Sequence, residues 1–270
     1  MFWEFSKRFL LVVPVLFYLG VALANSVTPD QTAETRLAEP YRGLPLSFEA
    51  NRGQTGSQAR FLARGSGYAL LLAPSKIMLV MSQSRRADPL KPITTNQPPE
   101  PTVLELLLLG GNPEAQLQGL EPLPGRSHYL TGNRSEEWQT DIRHFARAKY
   151  QTVYPGIDLG VYGNQGSFEY DFIISPEVDP AIIELSFQGA EKVAFSEKGD
   201  FLHQLAGGVL RQDRPVLYQQ TQVGTEAVKG SWVLRGSGRV GFEVGEYDRS
   251  RPLTIDPVLR YSSFLGGRLG

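Results

Sequence analysis

The sequence offers one cluster with clear chemical potential, made of three closely spaced carboxylates. Asp158, Glu169 and Asp171 lie in the segment IDLGVYGNQGSFEYDFII, residues 157–174. A turn at Asn164-Gln165, flanked by glycines, would fold this segment into a β-hairpin. The register set by that turn predicts that Asp158 lies directly opposite Asp171, with Glu169 beside them on the same face.

Opposed carboxylates must be compensated, because cross-strand neighbours have Cβ atoms about 4.5–5.5 Å apart and like charges there are destabilising. One source of compensation is the preceding basic segment with Arg143, Arg147 and Lys149, since arginine pairs well with carboxylates. A second is calcium, which prefers oxygen ligands. A third interpretation is the carboxylate pair of a retaining glycosidase.

These alternatives stay open, and the three carboxylates form a candidate ligand or ion site.

Other sequence motifs give no support for a catalytic or metal-binding site. His128, His144 and His203 follow no metal-binding spacing and are interpreted as surface or half-buried strand residues. No GxSxG nucleophile elbow, Walker motif or Rossmann fingerprint is present. We therefore assign no catalytic, cofactor-binding or metal residue, with calcium as the one cofactor under consideration.

Four aromatic residues are candidates for a sugar- or peptide-binding face, because stacking on Tyr or Trp tolerates many ligands. They are Trp138, Trp232, Tyr129 and Tyr162. Core packing is the more common use of such side chains, and we expect it for most of them.

The stretch LSFEANRGQT, residues 46–55, concentrates polar and charged side chains. Phe48 fits a core position, and Asn51-Arg52-Gly53 is typical of a turn in which glycine adopts a positive φ. Glu49 is expected to pair with Arg52 or with nearby backbone. This stretch is therefore interpreted as structural.

The remaining pattern predicts an all-β domain with many short strands, arranged as an antiparallel β-sandwich. Short apolar runs alternate with glycine- and proline-containing turns, as in FLARGSGYALLLAPSKIMLVMS from residue 61. In the 157–174 hairpin, alternate residues give one apolar and one polar face. The only helical signal after residue 25 is a single turn starting at Asp179-Pro180-Ala181.

The N-terminus resembles a secretory signal peptide. Lys7 and Arg8 precede a fifteen-residue apolar run, and Ala22-Leu23-Ala24 supplies a cleavage pattern. Residues 1–24 are therefore the predicted signal peptide, and 25–44 are a polar leader. Residues 84–101 form a proline-rich loop. No further apolar run is long enough to span a membrane once the signal is cleaved.

Composition excludes several functions. The formal net charge is −1, which argues against a general nucleic-acid binder. With no cysteine, the chain has no thiol chemistry and no disulfides, so an exported domain must be held by its core alone.

Segments along the mature chain resemble a known but uncharacterised domain. The domain occurs at the N-terminus of bacterial exported proteins that carry SBBP-type β-propeller repeats. The matching segments are FEANRGQT, FLARGSGY, PLPGRSHYLTGN, YPGIDLGVYGNQGSFEYDFIISP, RPVLYQ, VGFEVGEYDRSRPLTIDPVL and YSSFLGG. The resemblance implies an all-β domain over residues 45–259 and the start of a truncated repeat at 260–270.

Together these observations predict an exported, non-enzymatic structural or adhesive module of a cell-surface or secreted repeat protein. Its expected partner is a β-propeller repeat domain or another cell-surface component. The alternative is a carbohydrate-binding or carbohydrate-active domain that uses the acidic face of the hairpin. The structural interpretation predicts carboxylates capped by Arg147 or Lys149, whereas the alternative needs an open cleft with aromatic walls.

Overall fold

A computed structural model describes residues 46–55, 58–65, 67–81, 101–164, 167–205, 208–236 and 238–260. The predicted signal peptide and leader lie outside the described residues. So do the start of the repeat after Arg260 and all but the last residue of the proline-rich loop.

The described part of the chain is built from β-strands, with two single turns of 3₁₀ helix at Ser135–Glu137 and Pro180–Ile182. This confirms the predicted all-β class. None of the described residues forms a helix long and apolar enough to cross a bilayer. The strands are β1 Phe48–Ala50, β2 Phe61–Gly65, β3 Tyr68–Ala73, β4 Lys76–Met81, β5 Thr102–Leu109, β6 Gln116–Tyr129, β7 Gln139–Tyr154, β8 Ile157–Asn164, β9 Ser167–Ile174, β10 Glu184–Gln188, β11 Lys192–Phe195, β12 Phe201–Leu205, β13 Gly208–Gln212, β14 Val216–Thr221, β15 Gly224–Val228, β16 Gly230–Leu234, β17 Arg239–Val244, β18 Leu253–Asp256 and β19 Val258–Arg260.

The strands form one hydrogen-bonded antiparallel network that encloses a single core. From β16 the pairing runs through β17, β10, β5, β4, β3, β2, β1, β7 and β8 to β9. Beyond β9 it divides into β18–β14–β15 and β19–β13–β12–β11. Phe172 of β9 packs on Phe242 of β17 at 5.7 Å between ring centroids, although these strands are far apart in the pairing order. The network therefore folds back on itself, as a sandwich does.

The β8–β9 hairpin has the two faces that the sequence predicts. Its apolar face is almost completely buried and belongs to the main core. Strand periodicity explains this, because alternate side chains point to opposite faces. The buried residues are Ile157, Leu159, Val161, Phe168, Tyr170, Phe172 and Ile174.

Local turn predictions are also confirmed. The Asp179 side chain accepts a hydrogen bond from the Ala181 amide at 2.9 Å and caps the 3₁₀ turn Pro180–Ile182. Gly236 and Gly238 have φ of 72° and 73° between β16 and β17, a conformation that glycine adopts without strain. The predicted many short strands are confirmed, and two strands are longer, β6 with 14 and β7 with 16 residues.

His203 was predicted at the surface or half-buried, but the structure places it in the core with 0% exposure. Its ring lies between Phe187 and Phe201, with centroid distances of 4.5 Å and 4.4 Å. Neither ring nitrogen makes a well-formed hydrogen bond to a described residue. Burial lowers the pKa of His203 to about 4, with a smaller opposing effect from Gln212. Strand alternation could have indicated this position, because in FLHQL His203 shares one face with the apolar Phe201 and Leu205.

Burial of neutral His203 should make the protein acid-sensitive. The unfolded state, with a His pKa near 6.5, binds more protons than the folded state between about pH 6.5 and 4. Stability contributed by neutral His203 is therefore complete above about pH 6.5 and falls as the pH drops, by about 3 kcal/mol at most. His203→Leu should flatten this dependence in urea unfolding, whereas the exposed-site variant His128→Gln should keep it. Identical slopes for wild type and His203→Leu would contradict the assignment.

Candidate functional site

The carboxylates of the β8–β9 hairpin share one face, but their register differs from the prediction. Asn164 pairs with Ser167 and Ile157 with Ile174, so the pairing is shifted by two residues. Asp158 therefore lies opposite Ile173 and not opposite Asp171. A shift by an even number preserves the faces while changing every opposed pair.

Asp158 has a structural role in the neighbouring strand. Its Oδ2 forms an ion pair with Lys149 Nζ at 2.7 Å, and its Oδ1 accepts a hydrogen bond from the Thr152 amide at 2.7 Å. Thr152 lies where the β7–β8 register shifts between Tyr150 and Tyr154. Its φ is 51°, which is costly for a β-branched residue. Asp158 therefore stabilises a strained bulge and is separate from the other two carboxylates.

Asp171 is held on the next strand by two groups that the structure brings from β7 and β8. It is 6% exposed and accepts a hydrogen bond from Tyr162 Oη at 2.9 Å. Arg147 Nη2 lies 3.8 Å from its Oδ2, and the Arg147 guanidinium stacks over the Tyr162 ring at 4.5 Å. The predicted capping is thus confirmed for Asp171, by Arg147, and for Asp158, by Lys149, but it is wrong for Glu169, with which neither base pairs.

Glu169 and Asp256 complete the cluster around Asp171. Glu169 is 9% exposed and makes no hydrogen bond or ion pair with a described residue. Asp256 was not singled out from the sequence, because it lies on β18, far along the chain. Burial raises the pKa of Asp256 to about 7, and the charges of Asp171 and Glu169 add to this effect. Burial also raises the pKa of Asp171, against the lowering effects of Tyr162 and Arg147.

Another buried carboxylate of this protein, Asp200, has all the partners that Glu169 and Asp256 lack among the described residues. Asp200 is equally buried at 5%, yet it accepts hydrogen bonds from Ser196 and the Arg214 amide and forms an ion pair with Arg211 at 2.8 Å. Across the described residues, no group of three or more His, Cys, Asp or Glu side chains is arranged to hold a metal ion.

Core packing was expected for most of the four aromatic candidates, but only Trp232 lies in the core. Trp232 is 6% exposed, stacks on Phe242 and donates to the Asp213 carbonyl at 3.1 Å, as expected for core packing. Trp138 is 38% exposed. Tyr162 and Tyr129 are half-buried. The hydroxyl group of each donates a hydrogen bond to a carboxylate, Tyr162 to Asp171 and Tyr129 to Glu49.

The stretch 46–55 is structural, as predicted, but with different partners for Glu49. Asn51 Oδ1 accepts from the Gly53 amide at 3.1 Å, and Gly53 has φ of 115°, which forms the predicted turn. Glu49 is 7% exposed and pairs with Arg64 at 2.8 Å and with Tyr129 Oη at 2.5 Å. The expected Glu49–Arg52 pair is wrong. Glu49 instead fastens the distal end of β6 to strands β1 and β2.

The remaining histidines also have structural partners. His144 is half-buried between Ser127 Oγ at 2.7 Å and Ser47 Oγ at 3.2 Å. His128 is exposed, and its Nδ1 accepts from the Asp141 amide at 3.3 Å. Both positions agree with the surface or half-buried interpretation.

Two cavities flank the 3₁₀ turn Pro180–Ile182. One, of about 580 Å³, has a floor of Phe242, Val244 and Tyr247. The other, of about 450 Å³, includes Tyr154 and Glu184. None of the three predicted carboxylates lines either cavity.

A family model described as a domain of unknown function, DUF7948, matches residues 48–258. The chain belongs to the DUF7948 family. No curated protein and no solved structure matches it. The matched range runs from the first residue of β1 to the first residue of β19, so the DUF7948 domain includes the whole acidic cluster.

The Asp158 brace in this DUF7948 domain can be tested by stability measurements. Asp158→Ala should cost about 1–3 kcal/mol, because it leaves the Thr152 amide unsatisfied. Lys149→Met removes only a partly exposed ion pair and should cost less than about 1 kcal/mol. Thr152→Gly should stabilise by up to about 1 kcal/mol, since glycine adopts this φ without strain. Urea unfolding measures all three, and equal losses for Asp158→Ala and Lys149→Met would contradict the hydrogen-bond role.

The Glu49 network should control how firmly β6 is held. Glu49→Gln keeps the side-chain volume but loses the charge, and should cost about 1.5–3 kcal/mol. Tyr129→Phe should cost less, because the Arg64–Glu49 pair stays. Both variants should speed hydrogen exchange near Tyr129 more than elsewhere, while the exposed-site variant Glu114→Gln should not. Exchange that rises uniformly over the chain would argue against a local fastening.

Proposed function

We propose that this DUF7948 domain is an exported, non-enzymatic structural or adhesive module of a bacterial cell-surface or secreted repeat protein. The observation that carries the proposal is the use already made of the candidate carboxylates. Asp158 braces the β7 bulge, and Asp171 is bound by Tyr162 and Arg147. Carboxylates engaged in this way stabilise a scaffold and are poorly suited to acid–base catalysis, which needs contact with the reacting group.

The position before SBBP-type β-propeller repeats is part of the same proposal. It is supported by YSSFLGG at residues 261–267, which resembles the start of such a repeat. The preceding strand β19 pairs with β9 on one side and with β13 on the other. A repeat attached after this strand would be connected to the interior of the sheet, which suits a module that presents or caps a propeller.

A carbohydrate-binding or carbohydrate-active domain is the second candidate. Its support is Glu169, a buried carboxylate with no partner among the described residues, which lies opposite Tyr162 and near its hydroxyl-bearing ring. Against it, Tyr162 already stacks with Arg147 and donates to Asp171. The ring is therefore engaged by the protein's own side chains.

Export can be tested by fusing residues 1–30 to a reporter enzyme that is active only outside the cytoplasm. The expected result is reporter activity and a mature N-terminus at Asn25. Replacing apolar residues of the 9–23 run with charged ones should abolish both. Cytoplasmic retention of the wild-type fusion would contradict the proposal.

The non-enzymatic assignment predicts no glycan turnover. The purified exported protein should hydrolyse no member of a panel of aryl glycosides and soluble glycans. Activity that is lost in Glu169→Gln and Asp171→Asn but kept in Asp158→Asn would overturn this function. It would favour the carbohydrate-active alternative.

A further inference from the structure

The pairing of β9 with β18 brings two carboxyl groups face to face. Ile255 lies opposite Phe172, and Val258 opposite Glu169, so the same register places Asp256 opposite Asp171. Directly opposed residues in antiparallel strands have Cβ atoms about 4.5–5.5 Å apart. Each carboxylate also affects the ionisation of the other, as expected for two groups this close.

The cluster has more negative charge than its described partners neutralise. Asp171 has Tyr162 and the guanidinium of Arg147. Asp256 Oδ1 is buried without a hydrogen-bond partner, and the nine-tenths buried Glu169 is unpaired within the described part of the chain. One arginine thus faces three carboxylates. Two carboxylates at one site cannot both ionise freely, and one then keeps a proton.

The surrounding elements supply no second cation from a described side chain. Arg147 comes from β7, Tyr162 from β8, Glu169 from β9 and Tyr218 from β14. The next cation on the face, Lys149, is paired with Asp158 at 2.7 Å. These carboxylates are also not arranged to hold a metal ion. The cation best suited to neutralise the excess negative charge is therefore a proton.

We propose that Asp171 and Asp256 share one proton, and that this proton fastens the C-terminal strand β18 to β9. The protonated Asp256 donates to the Asp171 carboxylate, and Arg147 and Tyr162 hold that carboxylate in place. Loss of the proton puts two negative charges against each other across the strand pair. The C-terminal strands then loosen from the sheet, which makes their attachment sensitive to mildly alkaline pH.

The direction of the pH effect follows from the raised pKa of Asp256. Because that pKa is above its unfolded value, the folded state binds the extra proton between about pH 4 and 7. The contribution is complete below the unfolded pKa and is lost as the pH rises through about 7. At about pH 6.5 unfolded His203 is still half protonated, so between about pH 6.5 and 8.5 His203 adds about 0.4 kcal/mol of stability, opposite in sign to the loss at the carboxyl pair.

The test is hydrogen exchange of β18 and the melting temperature of the full chain at about pH 6.5 and 8.5. In the wild type, exchange at residues 253–256 should accelerate roughly fourfold beyond the intrinsic rise, and the melting temperature should fall by a few degrees. Asp256→Asn keeps a donor towards Asp171 without needing a proton. It should remove both changes and be the more stable protein at the higher pH. Glu169→Gln should shift the transition to lower pH.

Asp158→Asn is the matched control, because Asp158 is a carboxylate on the same face that is already paired. It should lower stability at both pH values and leave the difference between them unchanged. If Asp256→Asn does not fold, the infrared carbonyl band of a protonated carboxyl in wild type at about pH 6.5, lost at about pH 8.5, is the deciding measurement. An unchanged pH difference in a folded Asp256→Asn, or absence of that band, overturns the proposal. Stabilisation of the wild type by calcium at the higher pH, lost in Asp256→Asn, would assign the gap to a metal ion instead.

Discussion

Strand β9 joins the two halves of the sheet, because it pairs with β8 along one edge and with β18 and β19 along the other. Its apolar residues are buried in the core. Since side chains alternate along a strand, burying them forces Glu169 and Asp171 onto the opposite face. There the neighbouring strands leave them only 9% and 6% exposed. Formation of the core therefore fixes two carboxylates where water cannot solvate them well, and the arrangement of the cluster follows from that constraint.

The alternation of the hairpin was predictable from its sequence, but its partners were not. Odd- and even-numbered residues of a strand point to opposite faces. A register error of two residues therefore changes the opposed pairs but leaves each residue on its predicted face. The predicted Asp158–Asp171 pair does not form, because Asp171 lies opposite Gly160 on β8. On its other edge β9 pairs with the distant strand β18, and there Asp171 meets Asp256. In LTIDP, alternation indicates that Asp256 points away from the core, but nothing local indicates that β18 pairs with β9. Capping by Arg147 and Lys149 could be predicted from the sequence, because both residues lie on the segment that precedes the hairpin.

The stretch 46–55 illustrates the same limit. Its turn is encoded locally, by the Asn51 side chain and by glycine at position 53. The partners of Glu49 are Arg64 and Tyr129, which come from other strands. With no cysteine in the chain, buried charge-assisted hydrogen bonds of this kind take the place of covalent links. They fix one arrangement of β6 against strands β1 and β2, because leaving Glu49 or one of its partners without a hydrogen bond would lower the free energy of unfolding.

Two titratable groups, His203 which is fully buried and Asp256 which is partly buried, affect the stability of this domain in opposite directions of pH. His203 on β12 must be neutral in the core, so it penalises folding as the pH falls below about 6.5. Asp256 on β18 is most stable when protonated, so its contribution declines as the pH rises through about 7. The two groups differ in environment, one lying among aromatic rings and the other among carboxylates, so their effects arise at different places in the sheet. Acid therefore acts on the packing around β12 and alkali on the attachment of the C-terminal strands, and because the two effects have opposite signs they largely offset each other between about pH 4 and 7.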